Sequence, residues 1–219
     1  MRLSIFLSLL LFGSQLAAQY HSFGFGAGSS AFRGETTKNQ SIFEEAGLNL
    51  YGYYSYWLAD DERWQLVAQA RLDYINGRRE GQASDADYSY RANSFLLSPL
   101  AGIRFYADRD IMEYVPEKWQ GGLFLGLYAG AAVAYSDYSI PQVIDPASPH
   151  FKTSPTITFN SMFEVGYRMF WNQFWAYEIS LGLQHGFNDR WDGFKGNTTT
   201  NDFVTHISVG ATYSFYAFR

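Results

Sequence analysis

Apolar and polar positions alternate with a period of two along most of this chain, the mark of strands whose two faces meet different surroundings. The last segment shows it most plainly. Phe203, Ile207, Val209, Ala211, Tyr213, Phe215 and Ala217 share one parity, and His206, Ser208, Gly210, Thr212 and Ser214 share the other. Upstream, Tyr177, Ile179, Leu181 and Leu183 alternate with Glu178, Ser180, Gly182 and Gln184. Leu123, Leu125 and Leu127 share a face, opposite Phe124, Gly126 and Tyr128. The pattern predicts eight strands, near 20–30, 43–58, 64–77, 92–106, 120–136, 155–170, 175–188 and 202–218. None has helical spacing. Pro99 lies inside the fourth, where a residue without an N–H predicts a bulge or a distorted stretch.

The connections alternate as well. Segments 59–63 and 171–174 are short and 107–119 is intermediate, whereas 31–42, 78–91, 137–154 and 189–201 are longer and more polar. An up-and-down barrel with both termini in the periplasm has this asymmetry. Aromatic residues gather near the short turns: Tyr54, Tyr56, Trp57, Trp64, Phe105, Tyr106, Trp119, Tyr167, Phe170, Trp171, Phe174, Trp175 and Tyr177. Amphipathic rings favour the headgroup level of a bilayer, so these residues are expected to form an interfacial girdle. A soluble periplasmic barrel carrying an apolar ligand would also alternate. The girdle and the strand length, enough to cross the hydrocarbon at a tilt, favour the membrane.

Composition sharpens this picture. Tyr (17), Phe (19) and Trp (6) are abundant, which suits pleated surfaces. The chain has no Cys, so a disulfide framework, thiolate metal sites and lipid anchoring through an N-terminal Cys are excluded. A net charge of −5 gives no sign of a nucleic-acid partner. Arg2, the apolar run from Leu3 to Phe12, and Gly13, Ser14, Ala17 and Ala18 read as a signal peptide over residues 1–18. Residues 19–219 then form the barrel domain. They contain no apolar run of about 18 residues, so any membrane crossing is made by strands.

The ending Leu16-Ala17-Ala18-Gln19, the first strand Phe23-Gly24-Phe25-Gly26 and the aromatic C-terminal strand resemble the small eight-stranded outer-membrane barrels of the outer membrane protein A transmembrane domain and outer membrane protein X type. Family members usually end on Phe, whereas here Arg219 follows Phe218. The resemblance implies an all-β, closed antiparallel transmembrane barrel in the cell outer membrane of a Gram-negative bacterium. It also implies contact with outer-membrane lipids and lipopolysaccharide, and with the barrel-assembly machinery during insertion.

The inner parity carries Glu45, Arg71, Asp73, Arg104, Glu164, Arg168 and Glu178. A barrel of about eight strands is just filled by its side chains, so these charges are expected to pair in a structural network rather than line an open pore. A turn centred near Gln173 would set Arg168 across from Glu178. A narrow ion channel is the alternative use of such a lumen. His206 and Ser208 have the spacing of an outer-membrane lipid A deacylase pair, but parity turns them inward and no acid follows them. An enzyme is therefore not expected, and no cofactor is implied. Gly24-Phe25-Gly26-Ala27-Gly28 has no helix after it and is no dinucleotide site. The four His residues do not cluster, and Asp85 with Asp87, or Asp189 with Asp192, read as solvated loop charge rather than Ca²⁺ ligands. The outer loops, with Tyr88, Tyr90, Phe151 and Trp191, are expected to carry a structural or surface-interaction role.

Overall fold

In the computed structural model the strands run β1 (Tyr20–Arg33), β2 (Ala46–Trp57), β3 (Trp64–Arg79), β4 (Tyr90–Tyr106), β5 (Gln120–Ser139), β6 (Thr156–Phe170), β7 (Trp175–Gly186) and β8 (Phe203–Tyr216). Each pairs antiparallel with its chain neighbours, and β1 pairs with β8, so the sheet closes into an up-and-down barrel. The structure describes residues 20–33, 46–58, 63–79, 90–107, 120–139, 155–172, 174–187, 191 and 202–216. The expected leader, Glu45, Trp119, Asp85, Asp87, Tyr88, His150, Phe151, Asp189 and Asp192 lie outside them.

Closure follows from the backbone. Each strand edge in a bilayer would leave N–H and C=O groups without partners, at several kcal/mol apiece, and only a closed sheet removes every edge. Strands of 12 to 20 residues give the wall enough height. Tyr20, Tyr216 and the strand ends that flank the shorter connections share one end, the near end; Arg33, Ala46, Arg79, Tyr90, Ser139 and Thr156 mark the far end. Asn172 fastens the β6–β7 turn, its Oδ1 accepting from the backbone N–H groups of Phe174 and Trp175, each at 2.8 Å.

The two faces are inverted relative to a soluble protein. Leu125, Leu181 and Ile207 are 42%, 58% and 56% exposed on the outer wall, while Glu164 and Arg168 are 1% and 0% exposed inside. A soluble barrel carrying an apolar ligand needs the opposite arrangement, so that alternative is set aside. The outer wall is apolar on every strand, from Phe23 and Phe25 on β1 to Val209 on β8.

Three expectations change. First, of the two outcomes expected at Pro99 the strand shows the distorted stretch and not the bulge. Leu97 faces Val133 and Leu100 faces Gly130, so the β4–β5 register is the same on both sides of an interruption at Ser98 and Pro99. The missing donor opens a gap in the ladder without inserting a residue. Second, β1 extends past residue 30 to Arg33, because β8 continues beside it as far as Phe203. Third, the girdle is smaller than expected. Trp57 and Tyr106 point inward and are buried, with Phe170 packed against them. Closeness to a turn says nothing about facing, and parity puts these rings in the lumen. The outward girdle holds Tyr54 against Phe23, Trp64 against Phe105, and Trp175 against Tyr213, with ring centroids 5.1, 4.8 and 5.0 Å apart.

Candidate functional site

The lumen is built in layers. At the near end Trp57, Tyr106 and Phe124 form an apolar plug. At the far end Phe32, Ile75, Leu96, Ala132, Ala134, Trp191 and Val204 form another. Between them lies a polar column that holds the buried charges.

Strand geometry places each charge. Inward positions recur every second residue, so β3 presents Gln69, Arg71 and Asp73 in sequence, while β6 presents Glu164 and Arg168. The β6–β7 register sets Arg168 opposite Glu178. Arg168 Nε donates to Glu178 Oε1, and Arg168 Nη2 donates to the Tyr53 hydroxyl at 2.9 Å. Tyr53 in turn donates to Glu178 Oε1 at 2.6 Å. Arg104 spans both acids: Nη2 reaches Glu164 Oε2 at 3.0 Å and Nη1 reaches Glu178 Oε2 at 3.3 Å. Arg104 Nε donates to the Tyr128 hydroxyl at 2.6 Å, and that hydroxyl donates to Glu164 Oε2 at 2.7 Å. The Arg104 guanidinium also lies over the Tyr53 and Phe124 rings, 4.4 and 4.5 Å from their centroids.

Arg104, Glu164, Arg168 and Glu178 thus form one connected group. Arg71 stands apart, 3.9 Å from Glu164 Oε1 and 5.0 Å above the Tyr51 ring. Asp73 joins a different partner, with Oδ1 3.2 Å from His206 Nδ1. Charges held this deeply need close partners, since a single unpaired ion in low dielectric is prohibitive. The bridging hydroxyls of Tyr53 and Tyr128 escaped sequence reasoning. Their one signal was an aromatic residue with a polar tip on the glycine-rich parity. Glycines make the room: a Cβ at Gly24 would meet the Tyr53 ring at 2.1 Å, and one at Gly26 the Tyr51 ring at 2.6 Å.

This polarity decides the setting. An apolar wall closed around buried ions is stable only where the wall meets hydrocarbon, and bacterial barrels of this build span the outer membrane. The chain is an outer-membrane β-barrel. No family model matches it, and no curated protein matches it by sequence. Among solved structures it is similar to Ail, the attachment invasion locus protein of Yersinia pestis, at 14% identity over 91% of this chain and 100% of that one, with a TM-score of 0.48. It is also similar to Neisserial surface protein A (11%; 90% and 97% covered; TM-score 0.43). The outer membrane protein OprG from Pseudomonas aeruginosa is a third (13%; 92% and 97% covered; TM-score 0.44). The barrel reading rests on the strand pairing and facing of this chain itself.

His206 and Ser208 both point into the lumen and are buried. Ser208 Oγ donates to Asn49 Oδ1 at 3.1 Å, and His206 Nε2 lies 3.3 Å from Gln184 Oε1. His206 therefore presents both ring nitrogens to groups other than Ser208. A nucleophile needs its base within hydrogen-bond reach and its substrate alongside; a lipid on the outer wall meets neither residue. Trp191, expected among exposed loop residues, is instead wholly buried in the far plug. Its ring is the bulkiest of the fully buried side chains among the described residues, so burial wins over loop position.

Proposed function

We propose that this outer-membrane barrel has a structural or surface-interaction role, with its lumen acting as a core rather than a pore. The observation that carries this reading is the layering. An ion entering the lumen would have to pass the far plug, then displace Arg104 from Glu164 and Glu178, then pass Trp57, Tyr106 and Phe124. The ion-pair layer (Arg71, Asp73, Arg104, Glu164, Arg168 and Glu178) is read as a stabilising network. With the lumen filled and the wall committed to lipid, the rims remain for lipopolysaccharide or protein partners, and the near end faces the periplasmic assembly machinery. Residues 1–18 are read as the signal peptide of this barrel.

Reconstitution tests this. The purified barrel in planar bilayers is expected to give no steady conductance above the lipid baseline. Lipid A from cells expressing it is expected to keep its mass spectrum, with or without His206→Ala. Resolved, reproducible conductance steps would overturn the sealed-lumen reading. Loss of an acyl chain that depends on His206 would instead favour the hydrolase.

A further inference from the structure

His206 is the one buried histidine among the described residues, and both of its ring nitrogens meet oxygen. Nδ1 lies 3.2 Å from Asp73 Oδ1, and Nε2 lies 3.3 Å from Gln184 Oε1. The amide of Gln184 is turned this way by its other end, where Nε2 donates to Ser98 Oγ at 2.8 Å. A neutral imidazole carries one N–H. It can donate to one of these oxygens and sets a lone pair against the other. The imidazolium carries two and satisfies both. Asp73 shows the same shortage from its own side. Neither of its carboxylate oxygens has a hydrogen-bond partner among the described residues, and His206 Nδ1 has none. A buried carboxylate without a donor is costly. The ring that faces it can supply a donor by taking up a proton.

The charged groups that act on His206 are Asp73 and Arg71 of β3 and Glu164 of β6. Arg71 opposes a second positive charge, but its guanidinium lies over the Tyr51 ring, 3.9 Å from Glu164, which offsets it. Asp73 is in contact with the ring, so its attraction acts at the shorter range. The remaining neighbours are neutral. In register His206 faces Ser30 of β1 and Gly182 of β7, and Asn49 of β2 is held by Ser208. Gly182 seats the ring closely: a Cβ there would come within 3.3 Å of His206 Cδ2. We propose that His206 is a proton-operated latch: on acidification the ring takes up one proton, closes on Asp73 as an ion pair and donates to Gln184. The one covalent change is an N–H bond formed with a proton from water. β3 shares no ladder with β7 or β8, so the closed latch ties the wall together across the lumen. The inference goes beyond the surface role above and stands or falls separately, because it concerns how the lumen answers pH, whatever the rims bind.

Nuclear magnetic resonance of the barrel in lipid nanodiscs, with ¹⁵N in its four histidines and ¹³C in its aspartates, tests this. His206→Gln and Asp73→Asn assign the two signals, and heat-modifiable gel mobility checks folding at each pH. The His206 ring nitrogens are expected to pass in one step from the neutral to the imidazolium pattern between about pH 8 and about pH 4. The Asp73 carboxyl signal is expected to move at the same midpoint and to keep the shift of an ionised carboxylate. Asp73→Asn is expected to lower the His206 midpoint by about one pH unit or more, and Gln184→Met by a smaller step. A ring that stays neutral for as long as the barrel holds, or that is already charged at the alkaline end, would overturn the switch. An unchanged midpoint in either variant would break the latch at that residue. Should Asp73→Asn fail to fold, the parent chain decides, since an aspartate carboxyl set with no signal following the His206 titration contradicts the pairing.

Discussion

Arg168 shows how much one side chain carries in this lumen. It binds Glu178 and Tyr53, stands over the Tyr106 ring, and is fully buried. Truncating it leaves Glu178 with Arg104, at 3.3 Å, as its one cationic partner among the described residues, beside the Tyr53 and Thr212 hydroxyls, and strands part of a buried negative charge. Arg168→Ala is therefore expected to lower the unfolding free energy by about 3–5 kcal/mol, measured by urea titration in lipid vesicles. The double variant Arg168→Met with Glu178→Met is expected to recover part of that loss, since it removes both ions. A single variant as stable as the parent chain would contradict the pairing. This pair was legible in the sequence, because a four-residue turn and a period of two suffice to set 168 against 178. The link between Arg104 and both acids was not. It joins β4 to β6 and β7 across the lumen, and neither period nor turn length reports contacts through the interior. For the same reason Asp73 could not be assigned to His206 rather than to an arginine.

At the scale of the strand, facing was the most legible property, because one slip of register would turn every leucine of β5 and β7 inward. The ends of strands were less so. Trp57 and Tyr106 sit at strand ends close to turns, where a girdle residue and a plug residue look alike until parity is counted from the strand centre. Pro99 is the instructive exception. Its ring removes one ladder donor, yet register on both sides is held by the pairs from Arg91 to Leu97 and from Leu100 to Tyr106 with β5. Its other neighbour Ala70 keeps its place on β3. Pro99→Ala is expected to leave the fold intact and to change stability by no more than about 1 kcal/mol, either sign, the net worth of one hydrogen bond. The urea midpoint and slope check this; a loss of several kcal/mol would mean that the proline shapes β4 in a way the register does not show.

For the whole molecule, stability and setting are one question. The barrel places Leu, Ile and Phe where a soluble protein places charge, and seals Arg71, Arg104, Arg168, Asp73, Glu164 and Glu178 where a soluble protein places its apolar core. That exchange is favourable only when hydrocarbon surrounds the wall, and it leaves the lumen to act as the core. Spin labels attached to single cysteines at Leu127, Leu181 and Ile207, with the barrel in lipid bilayers, test this most directly. The account predicts frequent collision with lipid-dissolved oxygen at all three sites and almost none with a water-soluble nickel chelate. Strong nickel access with weak oxygen access at these sites would contradict it.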